Sequence, residues 1–318
     1  MTRVDLSLPS NQRATQLLAR DVLCLDVGDR LPTSLQYQEQ LGVGSGTVQK
    51  ALRILEGSRA AGFTSRGHQG TFVARRHLGR LWAIAGLGAV TGAMPLPDSR
   101  EGAGLAAGLR NEFDLLAIPL QMRYMHGSAA RLEAVRKGRA DFAVLSAAAS
   151  VSAREGAGAG RWIERDLGPC SYYSEDSLGV LTRPGLRDKG GTATWRVGID
   201  RDSYDHMHLT LAEFPPEVGR YEYKTQDYQR LPAAVAGRVI DTAVWHRITL
   251  PIPLELLGVT WRALVNPRAI DMKDAVSRAV VLARCDRREI EALLRRLDVE
   301  RIRESEDEVV RGEAPPVF

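Results

Sequence analysis

A mixed α/β protein carrying a small helical unit in front is what this 318-residue sequence predicts. Three observations carry that expectation. In the first quarter of the chain, apolar residues recur at helical spacing in three short blocks, and two short alternating runs follow, joined by glycines. From Leu81 onward, apolar runs of strand length alternate with helical stretches, which points to α/β with a largely parallel sheet. The composition, 44% hydrophobic and 26% charged, is that of a globular chain and argues against wholesale disorder. A chain of this length divides into about two domains, and the change of pattern places them at 1–76 and 77–318.

The elements follow in order. Residues 10–25 read as a helix capped by Ser10, with Ala14, Leu17, Leu18, Val22 and Leu25 on one face. Gly28 and Pro32 punctuate the next stretch. Ser34 can cap a short helix to Leu41, and Gly42 ends it at a position that favours left-handed backbone. A third helix runs from about Ser45 to Glu56 with Val48, Ala51, Leu52 and Leu55 inward. Phe63–Arg66 and Thr71–Ala74, joined by Gly67-His68-Gln69-Gly70, form a β-hairpin.

In the larger part, strands are expected at Leu81–Leu87, Leu115–Leu120, Phe142–Leu145, Leu178–Thr182, Trp195–Ile199 and Val239–Trp245. Helices are expected near 99–110, 128–137, 203–211, 227–236, 273–282 and 286–297. The stretch 150–168 reads as a surface loop, and the charged tail from Glu304 as a fraying end. An internal echo suggests two similar lobes: Ala134, Val135, Asp141, Ala143 and Val144 recur one hundred residues on as Ala234, Val235, Asp241, Ala243 and Val244. Each copy reads as helix end, tight turn, strand. A cleft between two such lobes is where a ligand is expected.

Charge separates the two parts. The formal net charge of +4 lies wholly in residues 1–78, with 10 Lys+Arg against 6 Asp+Glu, whereas the rest is balanced. A small basic unit joined to a neutral one suggests a polyanion partner for the first and a different partner for the second. Helix, tight turn, helix and hairpin is the order of a winged helix-turn-helix, whose third helix can enter a major groove of double-stranded DNA. Ser45, Thr47, Gln49, Lys50 and Arg53 would face the bases. Arg66, His68 and Thr71 on the wing would touch backbone, and Ser34 and Ser45 would present helix N-termini to phosphate.

The runs Leu31-Pro32-Thr33-Ser34, Leu41 to Leu52 and Gly70-Thr71-Phe72-Val73 resemble the GntR-type winged helix over about residues 10–75. Ser65 to Phe72, with Met94-Pro95-Leu96-Pro97 and Glu101-Gly102, is similar to the narrower YhfZ-type group. That resemblance implies a winged helix-turn-helix in front and a two-lobed, type 2 periplasmic-binding-protein-like (LysR-effector-like) domain over about residues 80–300. Two positions depart from the GntR-type pattern: Gln38 stands where a small Ala is usual, and Ser45 where an Arg is usual. The first needs a polar partner, and the second removes a base or phosphate contact.

For the cleft, the glycine-rich run Gly86–Gly92 does not fit a dinucleotide site. Pro95 and Pro97 prevent a helix from starting at the glycines, and no acidic residue follows at the needed distance. The lip it forms, with Pro95, Pro97 and Ser99, is instead expected to face a ligand. Arg123, Tyr124, Ser146, Ser203, Trp245 and His246 join it at expected strand ends. Serine hydroxyls and helix amides suit an anionic small molecule.

No cofactor and no metal is expected. His206 and His208, two apart on a helix, diverge. The three cysteines, Cys24, Cys170 and Cys285, offer neither a disulfide framework nor a zinc spacing and suit a reducing compartment. The N-terminus has no apolar run of signal-peptide length, and no stretch reaches the roughly 18 apolar residues of a membrane span. The sequence is thus expected to encode a cytoplasmic, homodimeric, non-enzymatic regulator that binds an operator and a small molecule. The alternative is a solute-binding protein or an enzyme acting on a small molecule in the same cleft.

Overall fold

A computed structural model describes residues 8–155, 162–183, 185–186, 193–247, 253–254 and 256–318. The front part holds α1 (Ser10–Cys24), α2 (Ser34–Leu41), α3 (Ser45–Gly57), β1 (Ala61–Ser65) and β2 (Thr71–Arg76). The hairpin pairs antiparallel, and Arg30 adds an isolated bridge to Phe72. Gly42 takes the left-handed conformation at the end of α2, with φ 63°. The expected caps shift by one residue. Pro9 rather than Ser10 precedes α1. Thr33 rather than Ser34 caps α2, in a reciprocal capping box with Gln36. The Gln38 amide finds its partners within its own helix, donating to the Ser34 carbonyl at 3.2 Å and the Ser34 hydroxyl at 3.3 Å.

After α4 (Leu78–Ile84) come β3 (Val90–Met94), α5 (Arg100–Leu115), β4 (Leu120–Tyr124), α6 (Ser128–Arg136), β5 (Phe142–Ser146), α7 (Ala147–Glu155) and β6 (Trp162–Asp166). These build the first lobe. The second holds β7 (Leu178–Thr182), β8 (Trp195–Ile199), α8 (Tyr204–Glu213), β9 (Tyr221–Thr225), α9 (Leu231–Ala236), β10 (Thr242–His246) and β11 (Thr260–Ala263). The chain then returns through α10 (Pro267–Ser277) to β12 (Ala279–Arg284), α11 (Arg288–Leu294) and α12 (Val299–Arg311).

Several expectations need correction. Leu81–Leu87 is not a strand but lies mostly in α4, where Leu81, Trp82 and Ala85 are buried. A short apolar run does not by itself separate a buried helix from a strand. Leu115–Leu120 straddles the end of α5 and the start of β4, with Ala117 turning at φ 54°. The stretch 150–168 is no simple loop. Its described residues hold part of α7 and all of β6, and 156–161 lie outside the described residues. Residues 279–282 of the helix expected at 273–282 belong to β12, which is paired between β5 and β6 and buried on both faces. The tail does not fray but forms α12 against α5. Gly104 and Gly108 permit that approach, since an added Cβ would meet the Glu306 carbonyl at 2.8 Å and the Ile302 carbonyl at 2.4 Å.

The sheets are mixed rather than largely parallel, and they share one plan. The first lobe orders its strands β4-β3-β5-β12-β6 and the second β9-β8-β10-β7-β11. In each, four strands run one way and a single strand, β12 or β7, runs against its two neighbours. The internal echo marks the equivalent places. Asp141 Oδ2 accepts the Thr91 amide at 2.8 Å, and Asp241 Oδ2 accepts the Arg196 amide at 2.9 Å. Each aspartate thus pins its own strand to the second residue of the neighbouring parallel strand.

The winged helix is not a separate bead. One apolar core runs from Leu18, Val22 and Leu55 through Leu81 and Trp82 to Phe113, Phe142 and Leu294. At its edge Asp26 accepts from both Arg76 at the foot of the wing and Arg296 after α11, each at 2.7 Å.

Candidate ligand cleft and nucleic-acid face

Two segments cross between the lobes, 167–177 and 264–278; Tyr172 N donates to Ser277 O at 2.8 Å, joining them, and Ala279 N at the start of β12 donates to Ser171 Oγ at 2.8 Å. The lobes are closed on one another. Glu101 meets His246 at 2.9 Å, His126 meets Asp200 at 2.9 Å, the Ser146 hydroxyl donates to Asp205 at 2.5 Å, and the Gln229 amide donates to Asp98 at 3.1 Å. The first residue of each pair is on the first lobe, except Gln229.

Closure leaves a cavity of about 80 Å³ between the lobes. Three helix N-termini converge on it, those of α5, α6 and α8, through Ser99, Gly127 with Ser128, and Ser203. Ser99 and Ser203 also cap their helices, accepting from Gly102 N and His206 N. Tyr172, Tyr173 and Tyr228 form an aromatic wall, with the Tyr173 ring edge-on to His246 at 4.9 Å. Arg131 and Asp205 supply charge from opposite lobes.

The electrostatics follow from burial. Burial pushes Asp205 up, and the Ser146 hydrogen bond and Arg131 only partly reverse this, leaving it at about 6. Burial also pushes Glu101 up, but the bond and charge of His246 and the Ser174 amide more than reverse it, to about 2. The Tyr172 hydroxyl is pushed to about 12 by burial, despite the nearby Arg131.

Of the residues expected at a ligand, Pro95, Ser99, Ser203 and His246 line the cavity. Pro97, Ser146 and Trp245 do not line it. Ser146 stands behind Asp205, and Trp245 stacks on Tyr228 at 4.3 Å. Arg123 and Tyr124 lie elsewhere. They sit within β4 rather than after it; Arg123 donates to Arg139 O and Tyr124 packs against Phe318. Their misplacement has one cause, the strand set five residues early. Sequence reasoning missed Arg131, Asp205 and the three tyrosines. Arg131 was visible only as one charge on an alanine-rich helix. Asp205 read as an ordinary first-turn acid.

On the front part, Ser45, Gln49, Lys50 and Arg53 are exposed along α3 and Thr47 is half-buried. Val48, Ala51 and Leu55 hold the opposite face in the core. Arg53 Nε bonds back to Gln49 O at 3.5 Å. Ser34 is exposed at the start of α2. On the wing, the Arg66 guanidinium lies 4.4 Å above the Phe72 ring, His68 is exposed on a single 3₁₀ turn, and Thr71 opens β2. The outward side of α3 and the tip of the hairpin are therefore both polar and exposed.

Among the described residues, no helix is long and apolar enough to cross a membrane, and no cluster of three metal-ligating side chains occurs. Residues 78–318 match the family described as YhfZ C-terminal domain, and residues 26–73 match a helix-turn-helix domain. The chain is 31% identical over 305 residues to the YhfZ protein of Escherichia coli (strain K12), covering 95% of each. Its fold is similar to the crystal structure of YhfZ from Shigella flexneri, with a TM-score of 0.57 and 28% identity over 76% of this chain and 97% of that one. The ligand-binding component of an ABC-type import system from Staphylococcus aureus superposes with a TM-score of 0.50 at 16% identity, over 72% of this chain and 80% of that one. This last likeness concerns the fold alone, which is that of type 2 periplasmic-binding proteins.

Proposed function

Because the chain belongs to the YhfZ family, with a helix-turn-helix ahead of a periplasmic-binding-protein-like domain, we propose that it is a cytoplasmic, ligand-responsive transcription regulator. One observation carries the reading: an exposed polar helix of the front part shares one continuous core with the first lobe of a closed, two-lobed cavity. Residues 1–76 read operator DNA, and 77–318 sense a small molecule with an anionic group. The cavity binds rather than transforms its occupant.

The winged unit acts as a homodimer on a palindromic operator, whose half-sites lie about 34–36 Å apart. Ligand couples to DNA through its differential affinity for the closed and open lobes, worth about 1–3 kcal/mol. The test is native mass spectrometry of the purified chain for a copurified small molecule, followed by operator titration with and without it. A shift in operator affinity of about 5–150-fold is expected. Turnover of the molecule, or identical operator binding in both states, overturns the reading.

A further inference from the structure

The buried charges of this protein are almost all neutralised in place. Glu112 pairs with Arg301, Glu213 with Arg262, Asp241 with Arg183 and Arg196, and Glu306 with Arg303. Glu289 likewise pairs with Arg287, and Glu101 and Asp200 each bond a histidine ring, His246 and His126. Two buried ions break the pattern, and both line the cavity: Arg131, 4% exposed, and Asp205, 4% exposed.

Arg131 gives its nitrogens to neutral acceptors alone. Nε donates to Val144 O, Nη1 to Met125 O and Nη2 to the Tyr172 hydroxyl, each at 2.9 Å. A guanidinium has five N–H donors, so one on each terminal nitrogen is left over. Asp205 accepts one bond, from the Ser146 hydroxyl on Oδ1. No described side chain forms an ion pair with either residue. An uncompensated buried charge costs several kcal/mol, and this pair stands on opposite lobes of one small cavity.

We propose that the cavity takes a small zwitterion, with its ammonium group against Asp205 and its carboxylate against Arg131 and the helix N-termini. The inference rests on the cleft reading above and narrows the effector class. The ammonium supplies the counter-ion that Asp205 lacks, and the tyrosine wall offers it ring faces. The carboxylate meets a positive end of α5, α6 or α8 as well as the guanidinium. Because the two residues belong to different lobes, a ligand that satisfies both holds the cleft shut.

The test is calorimetric titration of the full-length chain. The probes are the protein amino acids, β-alanine and 4-aminobutyrate, each beside the acid lacking its amine and the amine lacking its carboxylate. At least one amino acid is expected to bind, with each singly charged counterpart about tenfold or more weaker. Asp205→Asn is expected to erase the preference for the amino acid over the acid that lacks the amine. If such acids bind the wild-type chain as well as the amino acids do, the zwitterion is wrong and the cleft reading stands. If no amino acid binds, the zwitterion is again wrong, and copurified mass alone then decides the cleft reading.

Discussion

The Glu101 carboxylate and the His246 ring meet at 2.9 Å across the cleft, each with a side chain only 1% exposed. One comes from the first turn of α5 and the other from the last residue of β10. The pair is therefore made by closure and broken by opening. Removing one partner of a buried pair costs about 3–5 kcal/mol, because the survivor is left buried and alone. His246→Ala is expected to lose stability on that scale or to open the lobes. Urea denaturation reads the first and small-angle scattering the second; an unchanged midpoint with an unchanged radius of gyration excludes the latch. Glu101 sits at about 2 in the folded chain, below its ordinary 4.5. Its contribution is present above the ordinary value and is lost as pH falls toward 2.

His206 gives a second dependence on pH. Its Nδ1 accepts the Asp200 amide at 2.9 Å and its Nε2–H donates to Val244 O at 3.1 Å, so the buried ring is neutral. Burial pulls it from 6.5 down to about 4. The unfolded chain takes up a proton at the higher value and the folded chain resists until the lower one. Stability contributed by the neutral ring is thus complete above 6.5 and falls through the window down to about 4, by about 3 kcal/mol. Asp205, raised to about 6, works in the opposite sense, since its cost disappears on protonation. Comparing the urea midpoints of wild type and His206→Gln across this window isolates the histidine. A constant difference between the two profiles refutes the assignment.

The legibility of these features differs by physical cause. The front part was readable because its helices are amphipathic and its turns are made by glycine. In the lobes, Leu178–Thr182 and Trp195–Ile199 coincide with β7 and β8, as runs bounded by polar residues. The first four residues of β12 read as the end of a helix, because a strand buried on both faces has no alternation to show. The echo at Asp141 and Asp241 was legible because both lobes use the same bond to tie one strand to the next. The cavity's charges were not. Arg131 and Asp205 differ from their neighbours only in lacking a counter-ion, and pairing is a property of three dimensions.

The proposed DNA face makes a salt prediction. Lys50 and Arg53 are exposed on α3 with no ion pair to a described side chain, so each is available to phosphate or base. Each phosphate contact contributes roughly 0.9 to the slope of log affinity against log salt. Lys50→Ala or Arg53→Ala is expected to weaken operator binding and to reduce that slope by about one. Binding that keeps both its strength and its slope in both variants places the interface elsewhere. With serine at position 45, sequence-independent binding should be weak at physiological salt.

The shared core predicts how the chain unfolds. α1 packs against α3 in the winged unit and against α4 and α11 on the first lobe, so one helix serves both sides. Trp82 lies in that core, 2% exposed, whereas Trp195, Trp245 and Trp261 belong to the second lobe and its own apolar clusters. The winged unit and the first lobe should then melt together, and the second lobe is free to melt apart. A fragment of residues 1–76 exposes the side of α1 that α4 and α11 cover, at about 1.5–3 kcal/mol for each large side chain uncovered. It is expected to melt well below the full chain or to stay unfolded, as circular dichroism would show. A fragment as stable as the whole would mean that the winged helix folds without the first lobe, and that the core between them couples nothing.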